Sequence, residues 1–387
     1  MTLPNHAQVV IIGAGMMGAS IAYHLSERGC SDIVILEQQE IEVAGSTARA
    51  VAGVRHQFST EVNIRLSQYG IERLHHFGEE VGADPGFHQI GYLFLIDNAD
   101  DWTTYQQSVM LQKRLGVPVE LLTPEQAARF VPDTNTAGLL GATYCAADGY
   151  CDPHSIAMAY LARARERGAR LLRSTPATGI RSENGSVVAV ETPRGPVGCD
   201  YVVNAAGSWA GAVGALAGLD VPVQPFRRCV YVTEPFAAIQ GDIPLTIDVG
   251  SGFYMRKEGQ SVIFGLSNPD EPPGYNLQVD WDWLDSVLEA GFRRFPILER
   301  AGLAEKQCWA GAYEITPDHH PILGRHPQLP NYVDASGFSG HGIMHGPATG
   351  LLIAEEILDG RAHTINIDDL RIERFLTGRA GHERNII

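Results

Sequence analysis

The sequence predicts an α/β fold, α+β over the whole chain, in which a parallel-sheet unit is interleaved with an antiparallel-sheet unit. Three observations carry this. Residues 9–37 read as a buried strand, a glycine-rich turn, a helix, a second strand and an acid. Strand text ending in small residues returns at 201–209, and strand, glycine turn and helix return together from Tyr332. Between them, 220–310 alternates short strand-like runs with one helix, the pattern of an antiparallel sheet with a helical cover.

The first unit is the most constrained. Val9-Val10-Ile11-Ile12 runs into Gly13-Ala14-Gly15-Met16-Met17-Gly18, and after a helical stretch Ile33-Val34-Ile35-Leu36 ends at Glu37. Gly13 permits the tight turn, Gly15 lets backbone approach a pyrophosphate, and Gly18 allows close helix–sheet packing. The helix start offers free N–H groups to that diphosphate. Glu37 stands 19 residues beyond Gly18, placed to bond a ribose hydroxyl rather than a 2′-phosphate. The spacing predicts a bound dinucleotide in a Rossmann-like unit.

The other elements follow in order. Gly45-Ser46-Thr47-Ala48-Arg49 is a loop of small residues, and 60–80 repeats apolar residues at helical spacing. A strand at 91–96 precedes a helix over 97–114, and Thr123-Pro124-Glu125-Gln126 opens another with a capping-box pattern. Asp152-Pro153 begins a helix to about Arg167, with proline in its first turn. Short strands follow at 170–173, 178–182 and 186–192, then the buried strand from Tyr201. The 220–310 stretch supplies strands at 229–233, 253–256 and 261–265 and a helix over 281–295. The last helix is expected over 347–358.

Composition narrows the function. A chain of 387 residues with 44% hydrophobic content can bury two domains. Its net charge of −16 argues against nucleic acid or an anionic membrane surface as partner. Six scattered cysteines without a C-x-x-C pair read as free thiols in a reducing compartment. The first residues show no secretory pattern, and no uncharged apolar run reaches membrane-spanning length. The expected location is cytoplasmic.

Dinucleotide-type text at the start, middle and end of the chain favours a flavin enzyme over a simple nicotinamide dehydrogenase, whose binding unit is usually contiguous. The motifs then resemble a family. Besides 10–37, these are Gly45-Ser46-Thr47 with Val54-Arg55-His56-Gln57-Phe58, and Val203-Asn204-Ala205-Ala206-Gly207-Ser208-Trp209. To them add Trp309 to Asp318, Pro321 to Gly324, and Gly337-Phe338-Ser339-Gly340-His341-Gly342. In this order they resemble the FAD-dependent amine and amino-acid oxidoreductases, which include D-amino-acid oxidase, glycine oxidase and the sarcosine oxidases. The segment from Val54 most resembles the sarcosine oxidase β and proline dehydrogenase β branches. The likeness implies an FAD-binding Rossmann-like domain (1–85, 150–220 and 308–387) and a substrate domain (86–149 and 221–307).

The resemblance also implies site residues. Arg55 is the candidate for the substrate carboxylate, for which a planar guanidinium is suited; the rival reading is a structural salt bridge. Tyr313 and Tyr254 are candidates to line the pocket, Tyr254 being as readily a core tyrosine. Arg256, on the same strand face as Tyr254, is a candidate second positive charge. His341 is assigned to the flavin or substrate side. Cofactor contacts are implied at Gly13, Ala14, Gly15, Met17, Gly18, Glu37 and Gln38, and at Ser46, Thr47, Arg49, Ala50 and Ala177. Further contacts are implied at Ala205, Ala206, Gly207, Trp209 and Gly311. Gly337, Gly340, His341, Gly342, Ile343 and Met344 would wrap the flavin ring. Arg49 stands where one branch carries its flavin-linking histidine, and Gly311 where another carries its linking cysteine, so the FAD is expected to be non-covalent. Met344 replaces a lysine that shares the carboxylate in monomeric sarcosine oxidase, which puts sarcosine itself in doubt. The oxygen-activating lysine maps near Ile263. His341 and His345 have zinc-ligand spacing on a helix, but Gly340, Gly342, Gly346 and Pro347 argue against a helix there, and no metal is expected.

The expected activity is oxidation of the C–N bond of a small amino acid or secondary amine (sarcosine-, glycine- or proline-like). Hydride passes to FAD, and oxygen or another acceptor takes the electrons onward. Two alternatives stay open: a dehydrogenase subunit of a larger complex, and a non-catalytic FAD-binding assembly factor. Homo-oligomerisation is also open.

Overall fold

The structure, a computed structural model, describes residues 3–378 and 380–385. The strand His6–Ile12 lies between Ile33–Leu36 and Gly195–Asn204 and is parallel to both. Leu329–Ser336 continues the sheet, parallel to Gly195–Asn204, and Arg170–Leu172 closes the far side. Val9 to Ile12 and Ile33 to Leu36 are all buried, as unbroken apolar strands of a covered parallel sheet must be. The register sets Ile12 opposite Asn204, and Asn204 opposite Asp334. Strands from the start, middle and end of the chain therefore end together, each releasing a glycine-containing turn at the same sheet edge. Two antiparallel strands, Gly179–Glu183 and Ser186–Thr192, extend from Gly195–Asn204, and Ile322–His326 pairs with the outer strand.

One helical layer covers this sheet. Met16–Glu27 packs against Pro153–Glu166 and Gly342–Leu358, and the latter packs against Glu61–His75. Asp152 caps its helix through the His154 and Ser155 N–H groups, and the Thr123–Gln126 capping box forms around a four-residue helix. The helix expected over 347–358 begins at Gly342, not Pro347, and carries Pro347 inside it; a short helix, Glu373–Leu376, follows it. Its glycines reflect packing rather than irregular backbone. A Cβ at Gly346 would lie 2.6 Å from Met16 Cγ, and one at Gly350 would lie 2.1 Å from Ser20 Oγ. The expectation of no helix around His341 and His345 is thus corrected, since His341 is the N-cap residue and His345 lies in the first turn.

The second sheet runs Trp309–Ile315, Gln224–Val232, Ser261–Gly265, Phe253–Glu258, Leu245–Asp248, Tyr92–Ile96, Gly141–Cys145 and Val119–Leu122. It is mixed rather than purely antiparallel, because Leu245–Asp248 and Tyr92–Ile96 pair parallel. Trp309–Ile315, although beyond residue 308, joins this sheet through Gln224–Val232. Leu284–Arg294 is its helical cover. A two-strand ribbon, Gly53–Val54 with Gly149–Tyr150, ties the segment before Arg55 to this half of the chain. No helix of the described residues is long and apolar enough to cross a membrane.

Candidate active site

Two adjoining cavities have walls from both sheets and from the turns at the carboxyl edge of the first. The larger is about 540 Å³, within the roughly 300–1,000 Å³ typical of ligand sites; the smaller is about 70 Å³. Tyr254, Tyr313, Ala50, Val51, Gly340 and Ile343 line both.

The larger cavity takes its floor from the first strand–turn–helix. Gly13 adopts φ +108°, and a Cβ there would meet the Ala205 carbonyl at 2.4 Å; the turn can exist only with glycine. Ala14, Gly15 and Met17 also line it. The first N–H groups of a helix lack intrahelical partners. Thr47 Oγ1 accepts that of Met16 at 3.0 Å, and the helix end opens on the cavity. Glu37 is buried and fixed, Oε2 accepting the Ala14 N–H at 3.0 Å and Oε1 the Gln39 N–H at 2.8 Å. Gln38, Ser46, Thr47, Arg49, Ala50 and Ala177 complete one wall. Ala205, Ala206, Gly207 and Trp209 complete another, and Gly311, Gly340, Gly342 and Ile343 line the rest. This glycine-floored trough, with an acid at its ribose end, fits a dinucleotide of FAD size.

Two implied contacts are not cavity-lining. Gly18 packs beneath the turn, where a Cβ would lie 1.9 Å from the Gly13 carbonyl, so it shapes the site by letting helix and strand meet. Gly337 is turned to Thr316, and its N–H goes to Glu314 Oε2 at 3.1 Å. Arg49 and Gly311 touch: a Cβ at Gly311 would lie 3.2 Å from Arg49 Cβ. The two positions that the resemblance implies for flavin links are therefore neighbours, and neither an arginine nor a glycine side chain offers the histidyl or cysteinyl atom of such a link.

The smaller cavity holds Arg55, Tyr254, Tyr313, His341 and Met344 together. Arg55 is 1% exposed and has no acidic partner among the described residues. It donates to the Gln57 carbonyl, to the Asn385 carbonyl at 2.6 Å and to His341 Nε2 at 3.3 Å. Its guanidinium carbon sits 4.0 Å from the Phe58 ring centre. A guanidinium has five N–H donors, and these three bonds use one on Nη1 and both on Nη2, which leaves Nε and the second Nη1 donor. A guanidinium only donates, so His341 Nε2 accepts and the ring proton sits on Nδ1. Burial and the Arg55 charge hold His341 well below the ordinary histidine range, which keeps it neutral. Burial raises Tyr254 well above its ordinary value and raises Tyr313 also, so both stay hydroxyl donors.

Three residues that the sequence reading did not single out complete the site. Asp148 is fully buried, and its Oδ1 accepts the His56 N–H at 2.9 Å and meets His56 Nδ1 at 2.6 Å. Its Oδ2 takes Gln57 Nε2 at 3.2 Å. It thereby fixes the two residues after Arg55; the Asp148-Gly149 turn was the only local signal. Glu314 lines the larger cavity, and burial raises its carboxyl to about 7 despite the Gly337 and Phe338 N–H groups. Arg228 lines the same cavity with its guanidinium carbon 5.4 Å from the Tyr313 ring centre. Arg256, by contrast, pairs with Glu258 at 2.6 Å and does not bring its charge to the tyrosines. Ile263 packs with Val230, Val232 and Trp309. The grouping of possible metal ligands among the described residues is His56, Cys145 and Asp148, not His341 and His345; its His56 and Asp148 atoms already bond one another.

A family model described as FAD dependent oxidoreductase matches residues 8–356. FAD-dependent oxidoreductase domain-containing protein 1 of Xenopus laevis is 33% identical over 99% of this chain and 85% of its own length. Mitochondrial dimethylglycine dehydrogenase of Mus musculus is 31% identical over 96% of this chain. The chain spans only 45% of that relative's length. Among solved structures, L-proline dehydrogenase from P. horikoshii superimposes with a TM-score of 0.89 at 32% identity, covering 97% of this chain and 99% of that one.

Proposed function

This chain belongs to the FAD-dependent oxidoreductase family, whose members act on amino-acid or amine-like donors, and from that premise we propose that it oxidises the C–N bond of a small amino acid or secondary amine, sarcosine-, glycine- or proline-like. The observation that carries this reading is Arg55, a buried guanidinium with no acidic partner among the described residues, beside Tyr254 and Tyr313. An uncompensated buried charge is costly, and a substrate carboxylate removes that cost. Bound FAD, held without a covalent link, supplies the acceptor for the hydride that leaves the substrate carbon.

The chain's own residues do the rest. Arg55 takes the carboxylate, and its positive field favours the neutral amine over the ammonium. No side chain at the small cavity is free to serve as base: the tyrosines are held protonated, and the His341 lone pair is taken by Arg55. The amine therefore enters neutral, its nitrogen lone pair forms the C=N bond as the C–H hydride leaves, and water hydrolyses the imine to a carbonyl compound and the free amine. The resemblance maps the oxygen-activating lysine of a related oxidase near Ile263, here an apolar residue packed against Val230 and Val232, which favours an acceptor other than oxygen.

Anaerobic bleaching of the flavin by sarcosine, glycine, D- and L-proline and N-methyl amino acids tests the reading. Arg55→Lys keeps the charge but loses the guanidinium donors. Losing one charged hydrogen bond should raise the apparent substrate Kd roughly 10- to 100-fold. An unchanged Kd would remove Arg55 from the site. A yellow protein that no amine bleaches would favour the non-catalytic alternative.

A further inference from the structure

We propose that the site accepts an amine carrying two carboxylates, Arg55 holding one and Arg228 the other. This rests on the amine-oxidising reading above and names its substrate class.

Arg228 lies opposite Gly311 in the pairing of Gln224–Val232 with Trp309–Ile315. Directly paired residues share a sheet face with their i±2 neighbours, so Arg228, Gly311 and Tyr313 all face the larger cavity, which all three line. Tyr254 reaches the same place from two strands away. Its ring passes over Gly265, where a Cβ would meet the phenol oxygen at 2.5 Å and the Cys229 carbonyl at 2.8 Å. Arg228, Tyr254 and Tyr313 thus converge, and the two tyrosines also line the smaller cavity with Arg55. The two cavities adjoin at Tyr254 and Tyr313, with one guanidinium lining each.

Neither group is neutralised. Arg228 donates to the Arg227 carbonyl at 2.8 Å, and its Nε is buried without a partner. No acidic group lies within ion-pair distance among the described residues. The contrast with Arg227 is informative, because that side chain takes the opposite face and is saturated. It bonds both Glu271 oxygens, Asp280 Oδ2 at 2.8 Å and the Gln278 carbonyl. Arg49, also at the larger cavity, turns to the Ala310 carbonyl at 3.1 Å. Burial lowers the Arg228 pKa, the mark of a desolvated cation awaiting a counter-charge. A monocarboxylate satisfies one of the two cations, whereas an iminodicarboxylate or an acidic N-alkyl amino acid satisfies both.

The test uses the holoenzyme. Calorimetric titration compares malonate and glutarate with acetate and butyrate. Steady-state kinetics with a dye acceptor compares iminodiacetate and N-methylaspartate with sarcosine and proline. The dicarboxylates are expected to bind at least about 10-fold more tightly and to be preferred as substrates, since a charged hydrogen bond is worth roughly a decade or more. Arg228→Gln should lower the dicarboxylate-to-monocarboxylate ratio of kcat/KM roughly 30-fold, mainly through KM, and Arg228→Lys should restore part of it. An unchanged ratio in both variants, or no dicarboxylate preference in the parent protein, overturns the proposal. If Arg228→Gln does not fold, the parent's preference and Arg228→Lys decide. Tight dicarboxylate binding with no flavin reduction by any amine would uphold the two-arginine site and overturn the amine-oxidising reading instead.

Discussion

At the scale of single residues, the site is governed by which buried charges are paired. Asp148 and Arg55 illustrate the two cases: one carboxylate saturated by His56 and Gln57, one guanidinium left with donors to spare. Asp148→Asn turns one acceptor oxygen into an amide donor, which must face either the His56 N–H or Gln57 Nε2. A stranded buried donor costs about 1–3 kcal/mol, so the urea midpoint should fall accordingly, and substrate KM should rise as the Arg55 segment loosens. A variant with the parent's midpoint and KM would show that Asp148 positions nothing. Arg55 was legible because it follows a recognisable loop, and Tyr254 and Tyr313 because their strands were. Arg228 was not. In Arg227-Arg228 only strand register decides which side chain faces the cavity, and that register is set by Trp309–Ile315, some 80 residues away. Asp148 was hidden for the same reason, its partners lying 92 and 91 residues earlier.

At the scale of elements, local signals were dependable where local physics decides. The N-cap at Asp152, the Thr123 capping box and the Gly13–Gly18 turn all formed where their side chains predicted. The error at residues 341–347 came from reading glycine as a helix breaker. Glycine in a helix costs only about 1 kcal/mol, and close packing on Met16–Glu27 demands it. A second glycine contact, not foreseen, sets this helix from the other side. In Glu61–His75, a Cβ at Gly70 would lie 1.9 Å from the Met344 carbonyl. Since backbone cannot yield as a side-chain tip can, Gly70→Ala should cost more than the 1–3 kcal/mol usual for overpacking. It should also displace the turn at Gly340–Met344 and weaken FAD retention. Gel filtration followed by flavin absorbance would read this directly, and a variant retaining full flavin at the parent's melting temperature would refute it.

At the scale of the whole molecule, three parallel strands drawn from the start, middle and end of the chain end at one edge, and a second sheet faces the site that they open. The interleaving was visible as recurring strand–turn text, but the sheet that supplies Tyr254, Arg228 and Tyr313 depends on pairings no local pattern reveals. Closing the two halves also buries titratable groups of opposite behaviour, which sets the pH response of stability. His24, His320, His341 and His345 are all held below their ordinary value by burial, His345 to about 3. The unfolded chain binds their protons first, so their contribution is lost as pH falls below about 6.5. Asp334 works the other way. Burial raises it to about 7, its Oδ1 takes Asn204 Nδ2 at 3.2 Å, and its Oδ2 has no partner. Its folded form holds a proton that the unfolded chain releases near pH 4, so its contribution is full in acid and lost as pH rises through 7. Asp334→Asn keeps the shape and removes the ionisation. The variant should be more stable than the parent at pH 8, where the parent must bury a carboxylate or keep it protonated. It should lose most of that advantage by pH 5, giving a steeper fall in stability on acidification. Urea titrations of both proteins at pH 5 and pH 8 decide the matter, and parallel pH profiles would show that Asp334 is already ionised in the fold.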